Sequence, residues 1–144
     1  MALVFVGVVG SRKGVKQERV EQYLDRLHRK YPDAIIVSGD AKGVDTWAEN
    51  HWLRLGGRVV SFRVLEKAPE CFVAQELGLS KTRGGYSKEH EPGFADRTSA
   101  LLFRNLLIVG KADRLVWFMD HPTPGTSFTK EIAERWEKIP THAG

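Results

Sequence analysis

The feature that most constrains this chain is a change of hydrophobic period along its first half. Leu3 to Val9 is a short, valine-rich and almost continuous apolar run that ends at Gly10. Such a run suits a strand buried on both faces of a parallel sheet. From Val15 to Tyr31 the period changes, with Val20, Tyr23, Leu24, Leu27 and Tyr31 recurring at helical spacing among charged residues before Pro32. That pattern predicts an amphipathic helix. Ala34 to Val37 then makes a second buried strand. Val44 to Leu55 makes a second helix with Trp47, Ala48, Trp52 and Leu55 on its apolar side, and Gly56 and Gly57 stop it. Arg58 to Phe62 reads as a third strand.

A βαβαβ series with right-handed crossovers places helices on both faces of a sheet. The expected fold is therefore α/β: a Rossmann-like three-layer αβα domain with an open, mainly parallel sheet, covering residues 1–144 as a single unit. The alternation lapses between Arg63 and Arg97, a stretch too long for an ordinary connection. Residues 64–97 are read as an insertion or flexible lid, with a short helix over Pro69 to Leu79 and a polar, glycine-containing excursion over Lys81 to Gly93. Regular structure resumes with a helix ending near Val109 and Gly110, a strand over Arg114 to Met119, and a last helix from about Ser127 to Trp136.

In an open parallel sheet, ligands bind beyond the carboxyl ends of the strands. Three polar, glycine-containing turns converge there: Gly10-Ser11-Arg12, the stretch Ser38-Gly39-Asp40-Ala41-Lys42-Gly43-Val44-Asp45, and Asp120 onward, ending in Pro124-Gly125-Thr126-Ser127. Glycine lets a ligand approach the backbone, and the first N–H groups of a helix carry partial positive charge, so this edge suits a phosphate. The same residues also serve tight turns and helix starts, with Thr126, Ser127 and Asp45 as caps.

Composition narrows the classes. The net charge of +4 comes from basic residues interleaved with Asp and Glu, which suits an anionic small molecule or nucleic acid. Cys71 is the single cysteine, which excludes an internal disulfide. No apolar run reaches a membrane-spanning length, and Met1 is followed by no basic leader, so no targeting segment or membrane partner is expected and the cytoplasm is the expected location. The five histidines show no metal-ligand spacing. Neither GxGxxG nor GxxxxGK[ST] occurs, and no GxSxG suggests a serine hydrolase. Neither a metal nor a cofactor is expected.

Taken together, GSR at 10 to 12, SGDAKGVDTWAE at 38 to 49, Arg104-Asn105 within a helix and GTS at 125 to 127 resemble the SLOG superfamily. Besides the YspA-like branch, to which the likeness is greatest, that superfamily includes the DNA-processing protein DprA and the LOG cytokinin-activating enzymes. The resemblance implies a domain for nucleotides or nucleotide-derived signals, often a sensor or effector in conflict systems, and a homodimer also fits. It implies that Gly10, Ser11 and Arg12 flank a ligand phosphate, that Ser38, Gly39, Lys42, Gly43 and Asp45 form a second wall, and that Gly125, Thr126 and Ser127 close the cradle. Arg104 and Asn105 match a pair that begins the helix before the last strand and contacts phosphate or ribose. Asp40 stands where relatives commonly have a second glycine, and its carboxylate suits a ribose hydroxyl or a base amino group. Asp120 completes the expected ligand-binding set.

The LOG enzymes carry catalytic glutamates where this chain has Phe128 and Thr129, and Glu131 would point about 200° away on a helix. No catalytic residue is assigned. Two other functions compete with the binding domain. One is a nucleoside-phosphate hydrolase using Asp40, Asp45 or Asp120 as its acid-base group. The other is DprA-like binding of single-stranded DNA, for which Phe72, Tyr86, Phe94 and Phe128 are the aromatics not committed to a periodic core.

Overall fold

The computed structural model describes residues 4–10, 14–39, 41–118 and 140–142. Along the chain run β1 (Phe5–Gly10), α1 (Gln17–Lys30), β2 (Ile35–Ser38), α2 (Val44–Arg54), β3 (Arg58–Ala68), β4 (Cys71–Leu79), β5 (Tyr86–Phe94), α3 (Arg97–Lys111), β6 (Arg114–Phe118) and β7 (Pro140–His142). The strands form one sheet in the order β5-β4-β3-β2-β1-β6-β7. Pairings among β3, β2, β1, β6 and β7 are parallel, whereas β4 pairs antiparallel with both β3 and β5. The α/β, Rossmann-like arrangement is the one expected from the hydrophobic periods.

Successive residues of a strand point to opposite faces, so a sheet covered on both sides needs two cores. In β2, Ile36 packs with Val8, Val20, Leu24, Ala48, Trp52 and Phe118 under α1 and α2, while Ile35 and Val37 pack with Val60, Phe62, Ile108 and Leu115 under α3. Val20 and Leu24 are fully buried, one helical turn apart. The Trp52 indole is also fully buried, and its Nε1 donates to the Ala34 carbonyl at 3.1 Å, which ties α2 to the entry of β2.

The stretch after Arg63 departs from expectation. Residues 69–79, expected to hold a short helix, instead contain the whole of β4, and the polar excursion beyond them holds most of β5. Ala74, Gln75, Glu76 and Leu77 are good helix formers, but their ladder with Ser61 to Val64 of a lengthened β3 overrides that local preference. β3 thus continues past its parallel partner β2, whose last paired residue is Ser38 opposite Ser61. The outer strand β5 is mostly exposed and carries Lys88, Glu89, Glu91 and Pro92, the residue types that discourage further strand pairing at a sheet edge.

Strand β7 was not foreseen, and the helix expected over 127–136 lies outside the described residues. Among the described residues, no helix is long and apolar enough to cross a membrane.

Candidate functional site

β1 pairs with β2 on one side and β6 on the other, so the direction of winding reverses beside it. Ligands of doubly wound sheets bind at such a switch, beyond the strand carboxyl ends. Gly10 closes β1 there, and a Cβ on it would fall 2.6 Å from both the Phe118 carbonyl oxygen and Val44 Cγ2. The close approach of β6 and the α2 start accounts for a glycine at that position.

The turn between β2 and α2 is held mostly by its own residues. Asp45, in the first turn of α2, is buried, and its Oδ2 accepts from the Gly39 N–H at 3.2 Å and the Ala41 N–H at 3.3 Å. Thr46 donates its hydroxyl to the Ala41 carbonyl at 2.7 Å. Gly43 is the N-cap of α2 with φ of 91°, a backbone conformation that side chains disfavour, and as a glycine it supplies no side-chain cap. Lys42 is exposed on the turn.

From the opposite layer, Arg104 Nη1 donates to the Gly39 carbonyl at 2.7 Å, while its Nε and Nη2 donate to Asn105 Oδ1 at 3.3 and 3.2 Å. A Cβ on Gly39 would lie 3.0 Å from Asp45 Oδ2 and 3.1 Å from Arg104 Cζ. Gly39 is therefore the meeting point of a carboxylate from α2 and a guanidinium from α3.

The structure thus brings Gly39, Asp45 and Arg104 into contact, with Gly43 and Lys42 on the same turn. Two local expectations change. Arg104 and Asn105 do not begin their helix, because α3 starts at Arg97 behind an Asp96 cap whose Oδ1 accepts from the Ser99 N–H at 2.8 Å; the pair lies in mid-helix. Bonds from Ser99 hold the Asp96 carboxyl below its ordinary range. Ser38, moreover, sends its hydroxyl beneath α2, where it donates to Glu49 Oε2; Ser61 of β3 donates to the same oxygen at 3.2 Å. Glu49 was not singled out from the sequence. Its signal is its place one helical turn after Asp45 on the buried side of α2. Of the other expected residues, Ser11, Arg12, Asp40, Asp120, Gly125, Thr126 and Ser127 lie outside the described residues.

Residues 4–63 match the model of the YAcAr family, described as the YspA, cpYpsA-related SLOG family. Over that stretch the chain is similar to the SLOG family. Two solved structures share its fold. DNA processing protein A from Helicobacter pylori, a protein with its own single-stranded DNA binding mode, superposes with a TM-score of 0.68 at 19% identity over 96% of this chain. DprA from Streptococcus pneumoniae superposes with a TM-score of 0.68 at 23% identity over 97% of this chain. This chain spans 64% and 50% of those two proteins, respectively. No curated protein matches it.

Proposed function

We propose that the strand-end edge around Gly39 binds a nucleotide or a nucleotide-derived phosphorylated ligand. The observation that carries this reading is the junction at Gly39, beyond the end of β2 and beside the switch strand, where the Arg104 guanidinium meets the turn that bears the exposed Lys42. The α2 N-terminus adds partial positive charge on the same side. In this reading Arg12 brings a third cation, and Gly125, Thr126 and Ser127 close the cradle. Asp45 shapes the turn through Gly39 and Ala41, a positioning role rather than proton transfer.

The test is native mass spectrometry for a nucleotide that co-purifies, followed by calorimetric titration of variants. A hydrogen bond to a charged group is worth about 1.5 to 3 kcal/mol, so Lys42→Ala should weaken binding by roughly 10-fold or more with an unchanged melting temperature. Arg104→Ala should weaken binding and also lower the melting temperature, because Arg104 ties α3 to the end of β2. Unchanged affinity in both variants would overturn the reading.

A second reading, single-stranded DNA binding, draws on the fold shared with DprA and on the net charge of +4. Oligonucleotide affinity that falls steeply with salt would favour it, since neutralising several phosphates releases several counterions.

A further inference from the structure

The hairpin holds a buried acid that the turns at the strand ends do not use. Glu76 of β4 is 7% exposed. Its Oε2 accepts from the Tyr86 hydroxyl, and its Oε1 lies 2.9 Å from His90 Nε2. In register, Glu76 stands opposite Phe62, and Ala74, two residues earlier, stands opposite His90, so all of them share the face covered by α3. The Phe62 and His90 rings lie 5.9 Å apart.

Burial alone would push the Glu76 carboxyl up. The hydrogen bonds from Tyr86 and His90 and the charge of Lys111 outweigh that and hold it below the ordinary range. An ionised carboxylate only accepts, so the facing Nε2 carries a proton, and a ring holding that single proton has its lone pair on Nδ1. The carboxylate thereby sets which ring nitrogen is free to accept.

Between this face and α3 lies a cavity of about 410 Å3, walled by Phe62, Phe103, Leu106 and Leu107 with His90 and Glu76 among its lining. Apolar walls with a few oriented polar groups are the usual make-up of a small-molecule pocket. The cavity adjoins the site already described. Ser61 is in register with Ser38, so Phe62 stands one strand away from Gly39 and Glu76 two strands away, roughly 10 Å at the usual strand spacing. Helix α3 serves both places, with Arg104 at Gly39 and Phe103 and Leu107 in the cavity wall.

We propose that this cavity receives the heteroaromatic base of the nucleotide whose phosphate lies at the Gly39 edge, with an N–H of the base donating to His90 Nδ1 and its ring against Phe103. The inference rests on the phosphate reading above. Phe62, Glu76, His90 and Phe103 then determine base recognition, and Tyr86 orients Glu76.

The test is calorimetric titration with the four common nucleoside 5′-monophosphates and with ribose 5-phosphate, which offers the phosphate without a base. The wild-type protein should bind at least one nucleotide more tightly than ribose 5-phosphate. His90→Phe keeps the ring and removes the acceptor, so it should weaken that nucleotide by about 10-fold and leave ribose 5-phosphate unchanged. Phe103→Ala should have the same selective effect. A second measurement needs no variant to fold: in histidine-labelled wild-type protein, the Nδ1 resonance of His90 should move on adding the nucleotide and stay in place with ribose 5-phosphate. If nucleotide affinity depends on Lys42 but neither on His90 nor on Phe103, the base pocket is overturned and the phosphate reading stands. If neither any nucleotide nor ribose 5-phosphate binds the wild-type protein, both are overturned.

Discussion

The two sides of the sheet are built on different terms. Across the sheet, β3, β2, β1, β6 and β7 are parallel. β2, which lies between the two helix layers, is buried at all four of its positions, Ile35 to Ser38. In the β3-β4-β5 extension the strands are antiparallel, α3 covers one face, and β5 is largely exposed. Buried polar groups follow the same division. Beneath α2, Glu49 gathers the hydroxyls of Ser38 and Ser61 and fastens helix to sheet. In the hairpin, Glu76 gathers Tyr86 and His90 at the side of a cavity. A buried carboxylate can therefore lock two layers together or orient a group beside open space, and what stands next to it decides which.

The sharpest way to break this comparison is to empty the core on the helix-covered side. Trp52→Ala should cost about 3 to 5 kcal/mol, a large fraction of the 5 to 15 kcal/mol that usually holds a domain. Chemical denaturation reads the loss directly, and a cost under about 1 kcal/mol would mean that α2 is not fastened as described. Next in size, Ser38→Ala removes one donor from the buried Glu49 carboxylate and should cost about 1 to 3 kcal/mol.

On the hairpin side the effects are smaller and depend on pH. Tyr86→Phe should cost about 1 kcal/mol near neutrality, because Tyr86 is 47% exposed and solvent screens its bond to Glu76. The Glu76 carboxyl has a folded pKa below its unfolded value, so its contribution is complete above the ordinary glutamate value of about 4.3 and is lost as pH falls through the lower folded value. The penalty of Tyr86→Phe should therefore shrink below about pH 4. A penalty constant across denaturation curves at pH 7 and pH 3 would show that the bond does not depend on the charge.

The smallest effect belongs to the β3–β4 turn. Glu70 has a φ of 59° there, in the left-handed region where asparagine is better tolerated. Glu70→Asn should raise stability by about 0.5 kcal/mol, seen as a small rise in melting temperature.

The helix-covered side was legible because burial on both faces imposes a local signature. Val8, Ile36 and Val37 belong to near-continuous apolar runs, and Val20 and Leu24 repeat at the helical period. The hairpin was not legible in the same way. Its strands show no clean alternation, and residues 74–77 favour a helix when considered alone. Of the candidate site, the positions of Gly39, Gly43 and Asp45 followed from the motif and its strand-to-helix context, but their partners did not.

By itself, the sequence determined where the parallel strands β1, β2, β3 and β6 and the helices beside them run, because a segment buried on one or both faces must carry the matching period in its own residues. Only the tertiary structure decided that residues 71–79 extend the sheet, that Arg104 reaches the Gly39 carbonyl from mid-helix, that Ser38 turns inward to Glu49, and that Glu76 and His90 meet beside a cavity. Each of those outcomes joins residues far apart in the chain. A local pattern records how one segment is buried, but not which distant group completes its hydrogen bonds.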